Sequence, residues 1–191
     1  MSQFKDILSF WFGKSEDVNF GKADRAWFAK NEEFDRTIRS QFLTTYQQAV
    51  RGDLDIWQES PQSCLALIIV LDQFPRNMFR NSPKAFATDN LAKKYAQNAI
   101  SKGFDRQLLP VQRWFIYLPF EHSENIADQK RALELFSTLK KDPDSQGAIQ
   151  SAQKHYKIIE RFDRFPHRNQ ILGRESTPAE KEFLKTPGSH F

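Results

Sequence analysis

Two short segments of this chain place an acid, a Phe-Pro pair, and basic or amide side chains in nearly the same order. They are Leu71-Asp72-Gln73-Phe74-Pro75-Arg76-Asn77 and Phe162-Asp163-Arg164-Phe165-Pro166-His167-Arg168-Asn169. A guanidinium is well shaped to hold a carboxylate or phosphate, because its planar fork donates parallel hydrogen bonds. Arg76 and Arg80 at the first segment, with Arg164, His167 and Arg168 at the second, therefore predict an anion site if the two segments wall one pocket. The same groups have an internal use, in which Asp72 and Asp163 pair with the arginines and tie helix ends together.

The run Glu121-His122-Ser123-Glu124, with Asp128 a turn further on, is the densest collection of groups able to move protons. A histidine beside carboxylates suits acid–base work near neutral pH, which makes Glu121 and His122 the candidate catalytic residues. On the structural reading, Ser123 caps the next helix and the acids complement its dipole. Arg113 and Tyr117, one helical turn apart, either present a guanidinium and a phenol toward this corner or serve an internal Arg-Glu pair. Metal chemistry is not expected: the chain has no HExxH, Glu-x-x-His or CxxC spacing, so only a site assembled from distant histidines (His122, His155, His167) is left open. No phosphate-binding glycine loop occurs among seven glycines, and no cofactor is called for. Cys64 inside an apolar run reads as a small core residue, and His155 on an apolar stripe as a core histidine.

Helical periodicity supplies the elements that hold these groups. Phe4, Ile7, Leu8 and Trp11 form one stripe ending at Gly13, and Trp27, Phe34, Ile38, Phe42 and Ala49 form another ending at Gly52. Ser60-Pro61 opens a mostly buried helix through Cys64–Leu71, which Phe-Pro then stops. An alanine-rich helix over 89–102 follows. The next begins at Pro110 and is interrupted at Pro119, and the one after it carries Ala132, Leu135, Phe136 and Leu139 inward. Ala148, Ala152, His155, Ile159 and Phe162 lead into the second Phe-Pro stop, and Thr177-Pro178 starts a capped final helix. No segment alternates at period two. The expectation is an all-α fold of packed antiparallel helices, one domain over residues 1–191.

Composition sets the outer limits. Eighteen phenylalanines and 14% aromatic residues put large rings in the core. A net charge of +4, without a long basic block, does not call for nucleic acid. The opening Met1-Ser2-Gln3-Phe4-Lys5-Asp6 lacks the pattern of a signal peptide, the longest apolar run is too short for a bilayer, and a single cysteine suits a reducing compartment. The chain is therefore expected to be cytoplasmic, with no membrane partner.

Phe10-Trp11-Phe12-Gly13, the Leu71–Asn77 segment, Tyr117-Leu118-Pro119-Phe120-Glu121-His122-Ser123-Glu124 and the stretch from Phe162 to Arg174 together resemble a bacterial family, domain of unknown function 924. The resemblance spans essentially the whole chain. It implies an all-α, tetratricopeptide-like array and brings no catalytic residues with it. The expected function is binding of a small anion or acidic peptide in a pocket lined by aromatics and by Asp72, Arg76, Arg80, Arg113, Tyr117, Arg164, His167 and Arg168. A cofactor-independent enzyme using His122 or Glu121, and a scaffold for protein partners, are the alternatives.

Overall fold

In a computed structural model that describes residues 4–189, the described residues form helices and turns, with no strand. The helices are α1 (Phe4–Phe12), α2 (Glu32–Arg51), α3 (Pro61–Asp72), α4 (Phe74–Met78), α5 (Asp89–Ser101), α6 (Pro110–Glu121), α7 (Ile126–Ser137), α8 (Gln146–Phe162) and α9 (Pro178–Leu184). The reading of Met1–Gln3 lies outside the described residues. Among the described residues no helix is long and apolar enough to cross a membrane.

α3 is the axis. Ser60 accepts a hydrogen bond from the Ser63 amide while Pro61 occupies the first turn, and every residue from Ser63 to Asp72 is buried. A helix apolar on all sides must be covered on all sides. α1, α2, α5 and α6 pack around it. Ala92, Ala96 and Ala99 of α5 are fully buried, and their small side chains let the backbone of α5 approach α3 closely. Phe74, also fully buried, fixes the first Phe-Pro segment by lying 5.0 Å from the Phe42 ring and 5.6 Å from Trp11. A second, smaller apolar cluster holds Ile158, Ile159 and Phe165, with Phe162 and Phe183 against it.

Several local expectations change. Trp27 belongs not to α2 but to a separate 3₁₀ turn, Arg25–Trp27, and α2 starts at Glu32 where Asn31 accepts hydrogen bonds from two amides. Pro119 lies inside α6, which continues to Glu121. Pro75 ends α3 only to open α4, since proline is tolerated in a first helical turn. At the second segment Asp163, in the left-handed region at φ 57°, ends α8 before the proline is reached. α6 ends at Glu121 and α7 begins at Ile126, and Asn125, not Ser123, is the cap of α7.

Candidate functional site

The breaks at the two Phe-Pro segments bring their arginines to one corner. Asp72 ends α3, Arg76 follows one turn later on α4, Asp89 opens α5, His122 closes α6, and Arg168 ends the 3₁₀ turn Pro166–Arg168. Arg76 grips Asp89 with both terminal nitrogens, at 2.9 and 3.1 Å. Its Nη1 also bonds the Asp72 carbonyl and lies 3.6 Å from the Asp72 carboxylate. That carboxylate, almost fully buried, accepts from Gln73 and from His122 Nδ1, the latter at 2.8 Å.

Arg168 is held differently. Its guanidinium carbon lies 4.5 Å from the Phe165 ring centroid and 4.6 Å from that of Phe86, a pairing of cation with π faces. Its nearest carboxylate oxygen, on Asp89, is 3.5 Å away and already taken by Arg76. The side chain is 8% exposed, and its buried Nε has no hydrogen-bond partner among the described residues. Burial and the like charge of Arg76 push Arg168 down to about 10, so it stays cationic at pH 7.

Burial pushes the Asp72 carboxyl up, but His122 and Arg76 beside it more than offset that and hold it at about 2. Burial and Arg76 push His122 below its ordinary value, against the pull of Asp72. At neutral pH the ring is therefore uncharged, Nδ1 carries its proton toward Asp72, and Arg76 supplies the charge that keeps Asp72 ionised. Among the described residues no group bonds His122 Nε2. Behind His122, at 6.5 Å between ring centroids, stands His155, whose Nδ1 lies 2.9 Å from Glu121 Oε1 and 3.0 Å from the Ser151 carbonyl. Ser151 donates to the same Glu121 oxygen at 2.8 Å.

Of the residues singled out in the sequence, Asp72, Arg76, His122 and Arg168 meet here. Glu121 faces α8, where it orients His155. The others are engaged elsewhere: Arg80 on Asp35, Arg113 on the Tyr117 hydroxyl and on Thr138, Tyr117 on Asp105, and Arg164 on Glu180. Asp163 is exposed at the end of α8 and takes no part. His167 lines a separate cleft of about 510 Å³ with Arg174, Gln170 and Lys181, and a second cleft, about 730 Å³, runs between Phe10 and Trp27. Neither is lined by the four convergent residues, whose corner opens instead through the partly exposed Arg76, Asp89 and His122.

Asp89 and Phe86 were not foreseen, since nothing in an alanine-rich helix start marks an acid that will sit between two arginines. Glu124 has a structural role more specific than complementing a helix dipole. It accepts from the Phe165 amide at 2.8 Å and from Arg174 at 2.6 and 2.9 Å, clamping the second Phe-Pro segment against α6 and α7. Burial pushes its carboxyl up, but Arg174 and that amide hold it below its ordinary value. No group of three or more metal-ligating side chains occurs among the described residues.

Fold and corner together define an all-helical protein in which charges from α3, α4, α5 and a late turn, with the His122 ring at the end of α6, converge on one partly open point. The chain belongs to the family of bacterial proteins of unknown function DUF924, whose model matches residues 7–188. It is also similar to a solved protein of unknown function from Agrobacterium tumefaciens, at 41% identity over 95% of this chain and 96% of that one, with a TM-score of 0.84. No curated protein matches the sequence.

Proposed function

We propose that the corner of Arg76 and Arg168 binds a small anion, a carboxylate or phosphate group, and that Arg168 is its principal contact. The observation that carries this reading is Arg168 itself: a charge nine-tenths buried, with an unpartnered Nε and only a shared, distant carboxylate. A buried donor left unsatisfied costs about 1–3 kcal/mol, and a bound anion would recover that cost. The flanking rings of Phe86 and Phe165 hold the guanidinium plane in place, so little side-chain entropy is lost on binding.

The test is Arg168→Met, which keeps an unbranched side chain between the two rings and removes the charge. Asp89 keeps both bonds from Arg76, so no orphaned acid is left. Stability is expected to hold within about 1 kcal/mol or to rise, as when buried charges give way to apolar groups of similar volume. Calorimetric titration with inorganic phosphate and a series of small carboxylates is expected to show binding to the parent protein, weakened at least about tenfold in the variant. Binding that survives the substitution, or a marked loss of stability with no anion bound by the parent, would identify Arg168 as a structural strut.

A further inference from the structure

We infer that the site is catalytic, with His122 Nε2 as a general base that takes a proton from the carbon next to the carbonyl of a bound 2-oxo carboxylate. The inference rests on the anion site proposed above and adds a chemical step to it.

Three observations lead to it. Asp72 fixes the tautomer of His122: an ionised, buried carboxylate 2.8 Å from Nδ1 can only accept, so the ring proton stays on Nδ1 and Nε2 presents a lone pair. That arrangement of carboxylate, imidazole and vacant nitrogen is how an imidazole is oriented to receive a proton. Next, Nε2 has no partner among the described residues, although 13% of the side-chain surface is open. The ring therefore does not spend its second nitrogen on the fold. Last, the ring that carries the base stands beside Arg76, and Arg76 is joined to Arg168. His122 Nδ1 and Arg76 Nη1 approach the same Asp72 oxygen, at 2.8 and 3.6 Å, and Arg76 and Arg168 share Asp89.

A neutral imidazole is a moderate base, so it needs a carbon acid already activated by a carbonyl. A simple carboxylate is too weak an acid, whereas a 2-oxo acid offers both the anion for the arginines and an acidic C3–H. In the step proposed, the C3–H bond breaks and its proton passes to Nε2. The electron pair left behind forms the C2–C3 double bond, and the ketone π pair moves onto its oxygen. On this proposal the enolate charge develops at the corner where Arg76 and Arg168, joined through Asp89, are already in place, and charge positioned before the reaction lowers the barrier. The imidazolium then returns a proton to C3, restoring the ketone, or gives it to the enolate oxygen, releasing the enol; no oxidant, reductant or further reactant is needed.

The experiment is exchange of the C3 protons of pyruvate, 2-oxobutyrate and 2-oxoglutarate in D2O near neutral pD, followed by proton NMR with the full-length protein. Loss of the C3–H signal of at least one acid, faster than in protein-free solution, is the expected result. The variant His122→Asn can still donate to Asp72 in place of Nδ1 but has nothing at Nε2. Removing a positioned general base costs about 10²–10⁴ in rate, so exchange in this variant is expected to fall to background. His122→Gln provides a second geometry should the first unfold, and a thermal melt reports folding for both. Exchange retained in a folded variant would overturn His122 as the base. Binding of a 2-oxo acid by calorimetry with no exchange would overturn the catalytic step alone and leave the anion site standing. If phosphate or simple carboxylates bind and no 2-oxo acid does, the substrate class is wrong. If no anion binds at all, the site falls and the catalytic step with it.

Discussion

At the scale of single residues, the His122–Asp72 pair makes stability depend on pH in a way that can be signed. The unfolded histidine takes up its proton near pH 6.5, and the folded ring, penalised by burial and by Arg76, does so lower. Between those values the unfolded chain binds more protons, so stability is complete above pH 6.5 and declines as pH falls below it. Asp72 acts in a different window: held at about 2 against an ordinary 3.8, it contributes stability above about 3.8 that is lost as pH falls toward 2. The groups facing His122 are Asp72 from α3, Arg76 from α4, Asp89 from α5 and His155 from α8. Urea unfolding at pH 7.5 and 5.5 is expected to show a smaller loss on acidification for His122→Asn than for the parent, the difference not exceeding about 1.4 kcal/mol per pH unit. An equal loss in both would mean that the ring is not kept neutral by its surroundings. Asp72, Arg76, His122 and Arg168 could be singled out in the sequence as polar groups at helix breaks, but the same rule singled out Arg80, Arg164 and His167, which the fold engages elsewhere. Asp89 could not be singled out, because its partners lie 13 and 79 residues away and no local spacing marks them.

At the scale of elements, the end of α8 shows how a sequence signal can be right about place and wrong about cause. Phe165-Pro166 reads as the stop, yet the helix has already ended at Asp163, which adopts φ 57° and ψ 6°. That left-handed conformation costs an L-residue roughly 1–2 kcal/mol and costs glycine almost nothing. Asp163 is exposed and pairs with none of the arginines around it. Asp163→Gly is therefore expected to stabilise the protein by about 0.5–1 kcal/mol in chemical denaturation, with the anion site intact. A loss of stability would show that the side chain contributes something its exposure conceals. The other helices followed their apolar periodicity closely, because amphipathic stripes and caps are local. Where the reading failed, tertiary packing decided. Trp27 is pinned outside α2 by donating its indole N–H to the Trp11 carbonyl at 2.7 Å, and α6 passes through Pro119 while buried on nearly every side.

At the scale of the whole molecule, the apolar core is divided, and the division falls beside the site. The main cluster surrounds α3, whereas Ile158, Ile159 and Phe165 form a separate small cluster with Phe162 and Phe183. Beyond the small cluster around Phe165 and the packing of Arg168 on Phe86, the segment carrying Arg168 is tied to the rest by polar contacts, chiefly the Glu124 clamp on Arg174 and on the Phe165 amide. A segment held by few apolar contacts opens more readily than the core, and such opening would admit a ligand to a buried guanidinium. Hydrogen exchange can separate this from a single all-or-none unfolding. The amides of Leu172 and Arg174, bonded to Arg168 and Asn169 carbonyls, report the corner; the buried amides of α3 report global unfolding. In the parent the corner amides are expected to be the less protected. Ile68→Val removes one methylene from α3, at a cost of about 0.5–1.5 kcal/mol, but leaves the contacts broken by opening of the corner unchanged. It should lower protection in α3 alone. Glu124→Ala destabilises the native state relative to both the corner-open and the unfolded forms, so it should lower protection in the corner and in α3 by the same amount. If Ile68→Val instead lowers both, the corner and the core open together, and access to Arg168 must come through the exposed edge of Arg76 and His122 without any local unfolding.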